Sequence, residues 1–256
     1  MLSESQYVNE LDGLCESPHD DPPKWAAMLT AYFDESFQAG NGHVVVAGFL
    51  GSRDCWNQCV IEWRKALGKR HSLHMNKLRW AKPIRNKTLL EGLGTVPHDC
   101  GLQPVFASVR LSDYKIAEQV PKTFQNGYYV ALSAAVIGLL ETIPSGERVE
   151  LIFEQQVQYA AVREAALYAL SIQPYYRSNG QTSLAKWSSA PKSILLEPSD
   201  YLAYAIMQAL VDKQSIRSRL CSPILKHGKK RIGGKLSEKE VGRIISLRQE
   251  SLEDIR

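Results

Sequence analysis

The sequence has no apolar run long enough to cross a bilayer. Its longest apolar stretch, from Tyr128 to Leu140, is shorter than the roughly 20 residues that a transmembrane helix needs. The N-terminal residues also lack a basic region followed by an apolar core, so no signal peptide is predicted. The five cysteines are an odd number without the spacing of a disulfide framework. These absences predict a cytoplasmic protein with no membrane partner.

Motifs of several enzyme classes are missing as well. No Gly-rich loop suited to cradling a phosphate is present, since Gly40-Asn41-Gly42 favours a hairpin turn and Gly233-Gly234 a flexible tail. There is no Gly-x-Ser-x-Gly elbow and no cysteine with a clear histidine partner. These absences argue against nucleophilic catalysis by serine or cysteine.

Acidic residues are missing from one long stretch. The net charge is only +4, yet residues 213–237 contain eight lysines and arginines and no aspartate or glutamate before Glu238. A second basic segment, residues 69–87, includes an aromatic residue, Trp80. Both segments are candidates for nucleic-acid binding, with solvated charge as the alternative. The side chains that we select as nucleic-acid ligands are Lys77, Arg79, Lys229, Lys230 and Arg231.

The periodicity of apolar residues predicts one α/β domain. We expect a polar acidic leader at residues 1–24, a domain at 25–212 with an insert at about 51–101, and a basic C-terminal extension at 213–256. Strands are predicted at about 27–34, 43–50, 102–111, 149–153 and within 182–196, and helices at about 53–67, 124–142, 157–171 and 199–211. This order is that of a ribonuclease-H-like fold, a mixed five-stranded sheet flanked by helices.

Acidic residues stand at three structurally related points of this order. Asp34 ends the first predicted strand, Glu154 ends the fourth, and Asp200 lies in the first turn of an apolar helix. A buried carboxylate is costly unless it is paired or binds a metal. Together the three acids predict a site for Mg²⁺ or Mn²⁺. Glu35 joins them only if the chain turns after Asp34, because successive strand residues face opposite ways.

A zinc site is a competing interpretation. Cys55, Cys59, His71 and His74 approach the spacing of a zinc finger, but the two histidines lie closer together than that pattern requires. Cys55 and Cys59 also lie on or beside the apolar face of the predicted helix at 53–67. The acidic residues therefore remain the better metal candidates.

Three short motifs resemble one known family. They are Asp34-Glu35-Ser36 after an apolar strand, Leu73-His74-Met75 in the insert, and residues 196–204, Leu-Glu-Pro-Ser-Asp-Tyr-Leu-Ala-Tyr. In order and separation they are similar to domain-of-unknown-function family 3800, over about residues 27–212. The resemblance implies a ribonuclease-H-like fold, metal-dependent nuclease activity, and a place for His74 near the active site, in phosphate contact or proton transfer.

The sequence departs from that family's pattern at several positions. Phe37 replaces the glycine of Asp-Glu-Ser-Gly, Glu154 replaces an aspartate, and Glu197 and Ser199 replace the Gln and Ala of the last motif. The prediction is a divalent-metal-dependent nuclease acting on DNA or RNA, with catalytic residues Asp34, Glu35, His74, Glu154 and Asp200. The alternative is a catalytically degenerate protein on the same fold that binds nucleic acid or a partner.

Overall fold

The computed structural model describes most of the chain from residue 29 onwards. The described residues are 29–38, 42–78, 80, 86–110, 112, 127–144, 147–171, 184–190, 193–226, 232–237 and 239–244. The predicted acidic leader at 1–24 lies outside them, as do residues 39–41 of the predicted hairpin turn.

A mixed six-stranded sheet forms the centre of the structure, with the order β5-β4-β1-β2-β3-β6. β1, β2 and β3 are antiparallel neighbours, β4 runs parallel to β1 and to β5, and β6 runs parallel to β3. In chain order the strands are β1 (Leu29–Gln38), β2 (His43–Ser52), β3 (Gln103–Arg110), β4 (Val149–Glu154), β5 (Leu184–Ala190) and β6 (Ile232–Lys235).

The prediction of five strands is wrong, because the basic C-terminal extension supplies a sixth. β6 contains Gly233 and Gly234, which were predicted to be a flexible tail. Gly233 has a φ of 92°, and a Cβ at this position would lie 1.9 Å from the carbonyl oxygen of Phe106 in β3. Only glycine allows this approach of the two backbones.

Helices cover both faces of the sheet. One apolar core lies between the sheet and α3, α4 and α8, and the other lies between the sheet and α1, α2 and α5 to α7. The helices are α1 (Arg53–Leu67), α2 (Lys87–Asp99), α3 (Gly127–Leu140), α4 (Val157–Ser171), α5 (Glu197–Val211), α6 (Ile216–Cys221), α7 (Pro223–Lys226) and α8 (239–244). No helix among the described residues combines the length and the apolar character needed to cross a bilayer.

The first helix shows how local sequence sets an element. The side chain of Ser52 accepts a hydrogen bond from the amide of Cys55 at 3.3 Å and so caps α1. Gly68, with a φ of 61°, ends it. The predicted apolar positions of α1 are all buried: Trp56, Val60, Trp63 and Leu67.

The predicted chain order is confirmed, with two differences inside it. α2 was not predicted, because its sequence contains two glycines and Pro97. β1 continues four residues beyond Asp34, because the backbone from Asp34 to Gln38 still pairs with β2. Its pairing with β4, in contrast, ends at Phe33 and Phe153. Asp34 therefore lies at the point where its parallel neighbour stops.

Candidate functional site

The two adjacent acids of β1 belong to opposite faces of the sheet. Tyr32 packs in the core beneath α1 and α5, whereas Phe33 packs in the core beneath α3 and α4. The strand continues without a turn, so the alternation extends to Asp34 on the first face and Glu35 on the second. The condition under which Glu35 would join Asp34 on one face is therefore not met.

Asp34 is a buried carboxyl surrounded by other acids. Its side chain is only 3% exposed, and its Oδ1 accepts a hydrogen bond from the amide of Glu35 at 2.9 Å. Burial is the main reason that the pKa of Asp34 lies well above its usual value, and neighbouring negative charges raise that pKa further. Those charges belong to Asp200, Glu35 and Glu154. The groups that shift this pKa include no described lysine or arginine.

Asp200 reaches the same region from the first turn of α5. Its Oδ2 accepts a hydrogen bond from the amide of Met75 at 3.2 Å and lies 4.0 Å from Nδ1 of His74. Both residues belong to the Leu73-His74-Met75 motif of the insert. The structure therefore brings that motif to the start of α5, although the two are far apart in sequence.

Glu35 has a different environment on the other face. Burial and the charge of Glu154 raise the pKa of Glu35 to about 7, and the guanidinium of Arg163 opposes this rise. Oε1 of Glu35 is buried and accepts no hydrogen bond from any described residue. Arg163, in α4, is itself buried and donates from Nη1 to the carbonyl oxygen of Glu154 at 3.1 Å.

Glu154 connects the two faces electrostatically. It ends β4 beside Asp34 and is partly buried, and its charge raises the pKa of both Asp34 and Glu35. Asp34, Glu35, Glu154, Asp200 and His74 thus lie in one region of interacting titratable side chains, which we call the acidic region. It lies where β1 passes the end of β4 and α5 begins, which is where ligands commonly bind in open α/β sheets.

The residues that depart from the family pattern in α5 have structural partners. Glu197 is buried, and its Oε2 accepts a hydrogen bond from Nε1 of Trp63 at 2.8 Å. The hydroxyl of Ser199 donates to the carbonyl oxygen of Tyr32 at 2.8 Å. These two bonds fix the first turn of α5 against α1 and β1, and so position Asp200.

The described residues contain no ready-made metal cage. No group of three or more His, Cys, Asp or Glu side chains within them has an arrangement that could hold a metal ion. This finding applies to the predicted acidic ligands and equally to the zinc interpretation. Cys59 instead hydrogen bonds to Cys100, an interaction that lowers the pKa of the Cys100 thiol.

Most of the predicted nucleic-acid ligands fall outside the described residues. These are Arg79, Lys229, Lys230 and Arg231. Lys77 is described, and it is exposed in a short 3₁₀ turn, Met75–Lys77, directly after His74. This turn adjoins Asp200 through the hydrogen bond of the Met75 amide.

Sequence reasoning missed Arg163, although the sequence held a signal. Arg163 lies within an apolar stripe of α4 that includes buried Ala166 and Leu167. A cation in such a stripe must meet an anion or a carbonyl oxygen inside the protein. Its partners, however, come from β1 and the end of β4, which the pattern of α4 alone does not identify.

Comparisons with known proteins add no relative: no family model, no curated protein and no solved structure matches the chain. The resemblance to family 3800 thus stays a prediction.

Proposed function

We propose that this protein is a divalent-metal-dependent nuclease of ribonuclease-H-like fold that hydrolyses phosphodiester bonds of DNA or RNA. The observation that carries the proposal is Asp34, a buried carboxyl whose pKa is raised by that burial and, further, by the charges of three other acids. Such a cluster is unfavourable without a counter-charge. A hard divalent cation with oxygen ligands is the counter-charge that best matches it.

The acids fit Mg²⁺ or Mn²⁺ in charge and in ligand chemistry. Their side chains would have to move together to hold the ion, since they are not arranged as a metal cage in the described residues. Asp34, Glu154 and Asp200 would hold the ion, since Glu35 belongs to the other face of the sheet. When bound, such an ion supplies positive charge that lowers the pKa of an attacking water and stabilises the leaving oxygen.

The chain's own residues supply the remaining functions. The Met75 amide orients the Asp200 carboxylate at 3.2 Å, and His74 Nδ1 lies 4.0 Å from the same oxygen. His74 is 23% exposed, so it can meet a phosphate or exchange a proton with the leaving oxygen. The bonds of Glu197 and Ser199 fix the first turn of α5 against α1 and β1, respectively.

A cleavage assay tests the proposal directly. Labelled single-stranded and double-stranded DNA and RNA are incubated with the protein in Mg²⁺, Mn²⁺ or EDTA, beside Asp34→Asn and Asp200→Asn. We expect metal-dependent cleavage of at least one substrate by the wild type and none by either variant. Cleavage that persists in Asp34→Asn, or no cleavage of any substrate by the wild type, would contradict it.

A catalytically degenerate binding protein on the same fold is the second candidate. The observation that favours it is that no three described acidic, histidine or cysteine side chains are arranged to hold a metal ion. A wild type that binds nucleic acid but neither cleaves it nor responds to Mn²⁺ would support this second candidate.

A further inference from the structure

One arginine near the acidic region is held in place by aromatic residues. Arg217 lies in α6 and its side chain is exposed. Its guanidinium carbon is 5.5 Å from the centroid of the Trp80 ring, and the side chain hydrogen bonds to Tyr204. No described carboxylate forms an ion pair with it. Because the side chain is exposed, its guanidinium can contact an anion from solution.

The residues that hold Arg217 are themselves fixed. The rings of Trp80 and Tyr204 stack with centroids 5.6 Å apart and an interplanar angle of 5°. Trp80 also donates from Nε1 to the carbonyl oxygen of Met75 at 3.4 Å. A guanidinium over an aromatic ring is more ordered than one in water, so less conformational entropy is lost when it binds a ligand.

The same residues connect Arg217 to the acidic region. Met75 donates its amide to Asp200, and Tyr204 follows Asp200 by one turn of α5. Burial is the main cause that raises the pKa of Tyr204; Arg217 opposes this rise, and the charges of Cys221 and, to a smaller extent, Asp200 add to it. Arg217 and Asp200 are therefore both close enough to the Tyr204 hydroxyl to shift its pKa, in opposite directions.

We propose that Arg217 binds a backbone phosphate of a nucleic-acid strand next to the acidic region of Asp34 and Asp200. This inference rests on the proposed function, because it takes nucleic acid as the substrate. Carboxylates repel phosphates, so a strand that approaches them needs a cation beside them. Arginine suits this role because its planar guanidinium binds phosphate oxygens in a bidentate manner.

The test measures binding without cleavage. Binding of fluorescein-labelled single-stranded and duplex DNA and RNA is followed by fluorescence anisotropy in EDTA, over about 50 to 200 mM NaCl. The variants are Arg217→Met, Arg217→Lys and the control Arg219→Met, which makes the same change in charge at an exposed position of α6. Melting curves compare the folding of all three.

Arg217→Met should weaken binding about tenfold and reduce the slope of log K against log salt by about one, because one phosphate contact is lost. Arg217→Lys should keep the salt slope but bind less tightly than the wild type, because lysine binds phosphate as a point charge. Arg219→Met, which removes the same charge from the same basic segment, should weaken binding less than Arg217→Met does. A purely structural role of Arg217 would change the melting temperature but not the salt slope.

The outcomes separate this inference from the proposed function. If Arg217→Met binds like Arg219→Met while the wild type cleaves, the inference is wrong and the nuclease proposal stands. If binding depends on Arg217 but the wild type cleaves nothing, the inference stands and the nuclease proposal fails. A wild type that binds none of these nucleic acids overturns both.

Discussion

Asp34 and Glu35 are neighbours in sequence and both are largely removed from water, yet their surroundings differ in one respect. Glu35 has the guanidinium of Arg163 nearby, which lowers its pKa from the value that burial and Glu154 would impose. Asp34 has only a backbone amide to offset burial and three other acids. Among the described residues, an arginine thus opposes the effect of burial on Glu35, whereas no lysine or arginine opposes it on Asp34. A metal ion is the counter-charge that we propose for the face of Asp34.

The largest expected effect is the loss of nuclease activity when Asp34, but not Glu35, is exchanged for its amide. Asp34→Asn should lower nuclease activity by more than about 1,000-fold, or roughly 4 kcal/mol of transition-state stabilisation, because the metal loses a charged ligand. Glu35→Gln should retain activity within about tenfold, because it removes no proposed ligand. Rates at saturating Mn²⁺ measure both variants. Equal losses in the two would remove the distinction between the two faces.

The second prediction removes the counter-cation on the face of Glu35. Arg163→Met should lower the free energy of unfolding by about 1 to 3 kcal/mol at neutral pH, because the carbonyl oxygen of Glu154 loses its donor and the partly buried carboxyl of Glu35 loses its positive neighbour. Urea denaturation of the single variant and of the double variant with Glu35→Gln measures the coupling. The double variant should recover part of the loss. No recovery would mean that Arg163 stabilises the fold only through the Glu154 carbonyl oxygen and Phe153.

The third prediction concerns pH. The pKa of Glu35 in the folded protein is about 7, above its usual 4.5, so the protonated form is favoured by folding. The stability that this proton contributes is fully present below pH 4.5 and is lost as pH rises through about 7. Glu35→Gln has no such loss. In EDTA, the free energy of unfolding of Glu35→Gln should rise relative to that of the wild type by on the order of 2 kcal/mol across this pH range. A difference between the two proteins that does not change with pH would mean that the pKa of Glu35 is not raised by folding.

The smallest effect is expected at Glu197, a buried acid whose carboxylate accepts a hydrogen bond from a side chain. Trp63→Phe should lower the free energy of unfolding by about 1 to 2 kcal/mol, because the carboxylate of Glu197 loses the hydrogen bond from the indole N–H. Glu197→Gln should cost less than Trp63→Phe, since an amide oxygen accepts the same bond. Melting curves of both variants and of the double variant isolate this bond from the change in ring size. A Glu197→Gln variant less stable than Trp63→Phe would contradict this account.

Local patterns in the sequence predicted most of the fold. The spacing of Trp56, Val60, Trp63 and Leu67 predicted α1 with its observed bounds, because helix periodicity and burial coincide there. α2 escaped prediction because Gly92, Gly94 and Pro97 are poor helix formers. Burial of Leu90, Leu93 and Val96 outweighs that tendency, and it depends on neighbours that are distant in sequence.

The candidate site could be predicted only in part. An apolar strand that runs into acids suggested Asp34, and the first turn of an apolar helix suggested Asp200. The end of the strand was placed too early, because the pairing of Asp34 to Gln38 with β2 is a tertiary property. The position of Arg163 beside Glu35 depends on how α4 packs, and the stack of Trp80 on Tyr204 joins the insert to α5. Neither contact has a counterpart in sequence spacing.

The central claim is that a divalent cation supplies the counter-charge that Asp34 lacks, and thermal melting during titration with Mn²⁺ tests it most directly. A free ligand concentration of about 100 times the dissociation constant stabilises a protein by about 2.7 kcal/mol. For this chain length, that corresponds to a rise in melting temperature of roughly 5 to 10 °C. We predict this rise for the wild type and Glu35→Gln and none for Asp34→Asn, which should melt at or above the wild type in EDTA. An Asp34→Asn variant that retains the full Mn²⁺ shift, or a wild type that shows none, would contradict the account.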